Sequence, residues 1–127
     1  MAETVLDSSA ILALIHDEPG AATVRAALPE AVISAVNYGE VATKLIELGV
    51  AEAQMQALLW QTYCEVMDAT AGQAIVAGRL RQSTRHRGLS LGDRFCLALA
   101  RELGLPVLTA DLAWRDLEVD VEIVLIR

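Results

Sequence analysis

The stretch LSLGDRFCLALARELGLPVLTAD, residues 89–111, joins a helix to a strand and carries an acid near each end. Phe95, Leu99 and Leu103 recur at helical spacing, and Gly104 stands where a helix needs a left-handed cap. PVLTAD then reads as a strand that stops at Asp111. Asp93 falls in the first turn of the helix, and Asp111 directly follows the strand. Counterparts of this unit lie on both sides of it.

Upstream, ThrValLeu (4–6) is a short β-prone run ending at Asp7, after which Ser8 or Ser9 opens the apolar helical segment AILALIHDE. Pro19-Gly20 stops it. A second helix, AATVRAAL, ends at Pro29, and AVISA (31–35) is the second strand. VNYGEVATKLIELG sets Val41, Leu45 and Leu48 on one helical face, with Gly49 as cap. AEAQMQALLWQTY (51–63) repeats the period through Met55, Leu58, Leu59 and Thr62. CEVMDA (64–69) alternates as a strand, and TAGQAIVAGRLRQSTRHRG (70–88) reads as one long helix with a basic end. Downstream, LAWRDL is a short helical turn and VEIVLIR the last strand. Strands separated by helices imply a parallel sheet covered on both faces. Such sheets bind ligands beyond the carboxyl ends of their strands, where the strand order reverses.

The bulk properties narrow the function. The 127 residues suit one domain, and 54% hydrophobic with 21% charged residues supports a packed core. Cys64 and Cys96 lie far apart and form no Cys-x-x-Cys pair, so they read as small apolar residues in a reducing compartment. The start, MAETVLDSS, lacks the basic region of a signal peptide, and no apolar run reaches the roughly 20 residues of a membrane span. The expectation is a soluble, cytoplasmic protein without membrane contact. The net charge of −7 opposes nucleic-acid binding unless metal ions or a local basic patch offset it. Nine of the ten basic residues are Arg, and Arg79, Arg81, Arg85 and Arg87 cluster.

Four acids coincide with the expected carboxyl edge of the sheet. Asp7 and Asp111 follow strands directly, and Glu40 and Asp93 sit in the first turns of helices. Singly, each has a helix-start explanation: Asp7 and Asp111 as N-caps, Asn37-x-x-Glu40 and Ser90-x-x-Asp93 as capping boxes. Capping does not explain why all four mark one edge. Close carboxylates repel, and Mg²⁺ relieves this with carboxylate and water oxygens at about 2.0–2.1 Å. Zinc is disfavoured, since His16 and His86 lack ligand spacing. The matching chemistry is phosphodiester hydrolysis with one or two ions. Ser9, Asn37 and Thr109 stand beside the acids as hydrogen-bonding supports, although such residues also belong at turns.

These residues resemble a known family. VLDSSA (5–10), NYGEVATK (37–44), LSLGDRFCLALARELGLPVLTAD (89–111) and Trp114 are similar to the PIN-domain ribonucleases and, within them, to the VapC toxins of type II toxin–antitoxin modules. The resemblance spans essentially the whole chain. It implies a three-layer α/β/α sandwich with a five-stranded parallel sheet and Mg²⁺- or Mn²⁺-dependent endoribonuclease activity. It also implies a homodimer and a cognate VapB-type antitoxin. The family's metal-binding acids carry over onto Asp7, Glu40, Asp93 and Asp111, and less specifically its supporting residues onto Ser9, Asn37 and Thr109. Asp116 fits a surface role.

Arg79, Arg81, Arg85 and Arg87 read either as a solvated helix end or as a phosphate track toward the acids. Arg94 is a candidate for a carboxylate or a scissile-strand phosphate. Trp60 falls beside the apolar stripe of its helix and fits either the core or a groove for an antitoxin helix. Competing functions are a PIN-type RNA-processing nuclease outside a toxin–antitoxin pair, an aspartate-based phosphotransfer protein, and an inert interaction module. Ser9 stands where an aspartate-nucleophile hydrolase wants a second Asp. The single Lys, Lys44, is misplaced for a response regulator. An inert module has no need of four acids at one edge.

Overall fold

Five short strands, β1 (Thr4–Leu6), β2 (Ala31–Ser34), β3 (Glu65–Met67), β4 (Val107–Thr109) and β5 (Ile123–Leu125), form one sheet in the order β3-β2-β1-β4-β5. Every neighbouring pair is parallel. The computed structural model describes residues 1–62 and 64–127. Tyr63, which closes the helix expected over 51–63, lies outside the described residues.

Parallel neighbours require crossovers, and these are almost always right-handed. From β1 through β2 to β3 the chain steps in one direction. The helices of those crossings, α1 (Ser8–Ile15), α2 (Ala21–Ala27), α3 (Ala35–Glu47) and α4 (Glu52–Gln61), therefore share a face. From β3 the chain doubles back past β2 and β1 to reach β4. That reversal sends α5 (Ala71–Arg79), α6 (Arg81–Thr84) and α7 (Leu91–Leu103) to the opposite face.

Strand alternation supplies a core to each layer. Leu6, Ile33 and Leu108 pack with Ile11, Val24, Val41 and Leu45. Val5, Val32 and Val107 pack with Leu97, Leu99 and Trp114 on the other side. The result is a three-layer α/β/α sandwich with a five-stranded parallel sheet, as expected. Among the described residues no helix is long and apolar enough to cross a membrane.

Several local expectations are corrected. The helix expected over 70–88 is broken into α5, α6 and a 3₁₀ turn at Arg85–Arg87. Leu80 turns into the core there, and the hydroxyls of Ser83 and Thr84 donate to its carbonyl at 3.3 and 2.8 Å. Such local bonds compete with continuous helix. In α7 the buried stripe is Cys96, Leu97, Leu99 and Ala100, whereas Phe95 is half-buried and Leu103 exposed. Leu48 is exposed too, because α3 ends at Glu47 and Gly49, at φ +82°, turns the chain away. Both cysteines are free thiols.

Candidate active site

The strand order reverses between β1 and β4, since β1 leads on to β2 on one side and β4 to β5 on the other. Asp7 follows β1 there and is 2% exposed. It occupies the N-cap position of α1 but makes no capping bond. Its Oδ2 instead accepts hydrogen bonds from Ser9 Oγ at 2.7 Å and Thr109 Oγ1 at 2.9 Å. The two hydroxyls also lie 3.1 Å from each other, and each has one proton to give. The same hydroxyls accept the backbone N–H groups of Ala110 and Asp111 at 2.9 and 3.1 Å. The ends of β1 and β4 are thereby tied through one carboxylate oxygen. The other oxygen, Oδ1, is buried without a hydrogen-bond partner.

Glu40 reaches the same edge from α3. Strand β2 passes into this helix without a loop, and Ser34 caps it by accepting from Val36 N at 3.2 Å. Asn37 therefore lies inside the first turns, and Asn37-x-x-Glu40 is no capping box. The Asn37 amide donates to Glu40 Oε1 at 2.8 Å and to the Gly92 carbonyl at 2.9 Å, with its own Oδ1 buried and unpaired. One side chain thus clamps α3 to α7, which belong to opposite layers. Gly92 permits the approach, because a Cβ there would collide with the Glu40 carboxylate. Sequence reading missed Gly92; a glycine in the first turn of a good helix was the available signal.

Asp93 does sit in a capping box. Ser90 N donates to Asp93 Oδ2 at 2.9 Å and Asp93 N to Ser90 Oγ at 3.1 Å. Asp111 is exposed and caps the 3₁₀ turn Leu112–Trp114 by accepting from Ala113 N at 2.9 Å. The helix-start reading thus holds for these two acids and fails for Asp7 and Glu40.

The acids sense one another. Burial is the main force that pushes Asp7 up to about 6, with repulsion from Asp93 and Glu40 adding to it and the Ser9 and Thr109 bonds opposing it. Asp93 is also raised, chiefly by burial; the Ser90 bonds and the nearby Arg94 lower it, and Asp111 repels it. The buried Cys96 thiol, beneath the cluster, is raised by burial and then by Asp7, Asp93 and Glu40. As the side chains stand, no group of three His, Cys, Asp or Glu among the described residues closes a metal cage. Asn37, Ser90 and Ala113 hold the three outer carboxylates. The donor chemistry nevertheless fits a hard divalent cation: every available atom is oxygen, and Asp7 Oδ1 is an acceptor with nothing to accept from.

The remaining candidates separate. Arg79, Arg81 and Arg85 are exposed and Arg87 half-buried. The segment lies at the α7 N-terminal end that carries Asp93, because the end of α5 is bonded there through Arg94. Arg94 itself is 9% exposed and engaged by the Ala77 and Ser90 carbonyls at 2.9 and 3.3 Å, which leaves it turned inward. Trp60 is 79% exposed, outside the core. His16, His86 and Asp116 are all exposed.

Known structures share this fold. The toxin–antitoxin complex from Klebsiella pneumoniae contains a chain superposing with a TM-score of 0.74 at 20% identity, with 98% of each chain covered. DNA-bound VapBC from Salmonella typhimurium gives 0.77 at 19%, with all of both chains covered. VapC20 of Mycobacterium tuberculosis, a sarcin–ricin-loop-cleaving toxin, gives 0.70 at 20%, covering 89% of this chain and 92% of that one. No curated protein sequence matches significantly. At these identities the structures establish a shared fold. The sequence pattern of the PIN domain matches residues 4–119, from β1 to beyond the last acid, and the chain belongs to the PIN domain family.

Proposed function

We propose that this PIN domain is a Mg²⁺-dependent endoribonuclease, with Mn²⁺ able to substitute, and the toxin of a VapBC-type pair. The observation that carries the reading is Asp7: a carboxylate with one oxygen bonded by two hydroxyls and the other buried and bare, at the strand reversal, repelled by Asp93 and Glu40. Asp7, Glu40, Asp93 and Asp111 would hold the ion. The chemistry a bound divalent ion contributes is acidification of water and charge stabilisation at a phosphodiester.

The chain's own residues do the rest. Ser9 and Thr109 fix the direction of the Asp7 carboxylate, and Asn37 fixes that of Glu40. Burial of Asp7 keeps bulk water from competing for it. Arg79, Arg81, Arg85 and Arg87 supply a local cationic track for RNA phosphates on an acidic protein. The toxin assignment, with a VapB-type antitoxin partner, is supported by full-length likeness to chains from toxin–antitoxin complexes, and a homodimeric state is proposed with it.

The test is cleavage of a panel of cellular RNAs by purified protein. Activity should vanish in excess chelator, return with Mg²⁺ or Mn²⁺, and be lost in a folded Asp7→Asn protein. Undiminished cleavage in EDTA would exclude the reading.

A further inference from the structure

Among the described residues Arg94 is the one buried arginine. The ion pairs recorded among the described residues, Arg101–Asp120 and Arg127–Glu18, do not involve it. A buried guanidinium without a carboxylate bound to it is costly unless other groups answer its charge. Two do so here. Nη1 donates to Ala77 O at 2.9 Å, a buried bond. Ala77 is in the last turn of α5, where carbonyls lack helical partners and the helix dipole is negative. Nε donates to Ser90 O at 3.3 Å.

Ser90 is the residue whose backbone N–H and hydroxyl grip Asp93. The bonds therefore run in series, from the end of α5 to Arg94, to Ser90, to Asp93. The capping box engages Asp93 Oδ2. We propose that Arg94 is a positioning residue for metal binding: by pinning Ser90 to the end of α5 it fixes the Asp93 carboxylate where a divalent cation can use it. This rests on the metal-site reading above. It assigns Arg94 a role inside the fold, in place of contact with RNA.

Coulomb's law and positioning predict opposite signs. A cation next to a divalent-ion site repels the ion, so removing the charge alone should tighten binding. Loss of a supporting contact to a ligand typically weakens metal affinity by about 10- to 100-fold. The experiment is calorimetric titration of Mn²⁺ into metal-free wild type, Arg94→Met and Arg94→Lys, each first verified as folded by circular dichroism.

Arg94→Met should bind Mn²⁺ at least about tenfold more weakly than wild type. Arg94→Lys keeps the charge but not the two-pronged geometry, and should stay similarly weak. It also keeps the question answerable if the Met variant does not fold. Wild-type or tighter affinity in a folded Arg94 variant would overturn the proposal while leaving the metal site standing. Mn²⁺ binding by Asp7→Asn equal to wild type, or no binding by wild type, would bring down the metal site and this inference with it.

Discussion

Asp7 carries a charge where burial resists it, and this gives the residue a measurable signature. Its pKa rises from 3.8 to about 6 in the folded chain. The folded state therefore holds the proton more tightly than the unfolded state. The associated stability is fully present below about pH 4 and is lost as pH climbs through about 6. A shift of two units corresponds to about 3 kcal/mol. In chelator at neutral pH, Asp7→Asn should melt above wild type, and the gap should close as the pH is lowered to about 4. Thermal melts of both proteins across that range check this; a gap independent of pH would mean Asp7 is not the strained group. The type of this residue was legible in the sequence, because it ends a β-prone run. So were its supports, Ser9 and Thr109, although Thr109 lies 102 positions away. What was not legible is that both donate to one oxygen and leave the other buried and bare. Asn37 supports Glu40 as expected, but not from a capping box: β2 runs straight into α3, so the first polar residue after the strand is already within the helix.

Two helices begin with the same device and can be played against each other. Thr70 and Gln73 form a capping box on α5, as Ser90 and Asp93 do on α7. Thr70→Ala and Ser90→Ala should each cost about 1 kcal/mol of stability. Only Ser90→Ala should also weaken Mn²⁺ binding, by about tenfold, because its partner is a candidate ligand. Denaturant melts and calorimetry on both variants separate the effects; equal Mn²⁺ affinities would mean that Asp93 serves the helix alone. At this scale the sequence was informative wherever one period dominated. Alternation in Val5-Leu6 and Val32-Ile33 follows from a sheet with two covered faces, and both strands were anticipated. The break at Leu80 was hidden, because 70–88 is helix-compatible throughout and only packing against α7 pulls Leu80 inward.

Charge is distributed unevenly over the molecule. A net −7 coexists with four arginines between positions 79 and 87, held at the end of α7 that carries Asp93. Replacing Arg81, Arg85 and Arg87 with Gln should lower RNA affinity most at low salt. It should flatten the log–log salt dependence by about two, at about 0.7 per cation on single strands. Binding measured at two ionic strengths checks this, and an unchanged slope would assign the arginines elsewhere. The sheet order adds a consequence in time. Synthesis delivers β1, β2 and β3 first, with Asp7 and Glu40 already in place. Strand β4 must then enter beside β1 across a long sequence separation, the slow kind of pairing in folding. A chain halted before residue 107 has three of the acids, a bare edge on β1, and no Thr109 to join Ser9 in holding Asp7. On the metal-site reading proposed above, the growing polypeptide therefore lacks a complete site, and the cluster of acids is completed only when Asp111 is made.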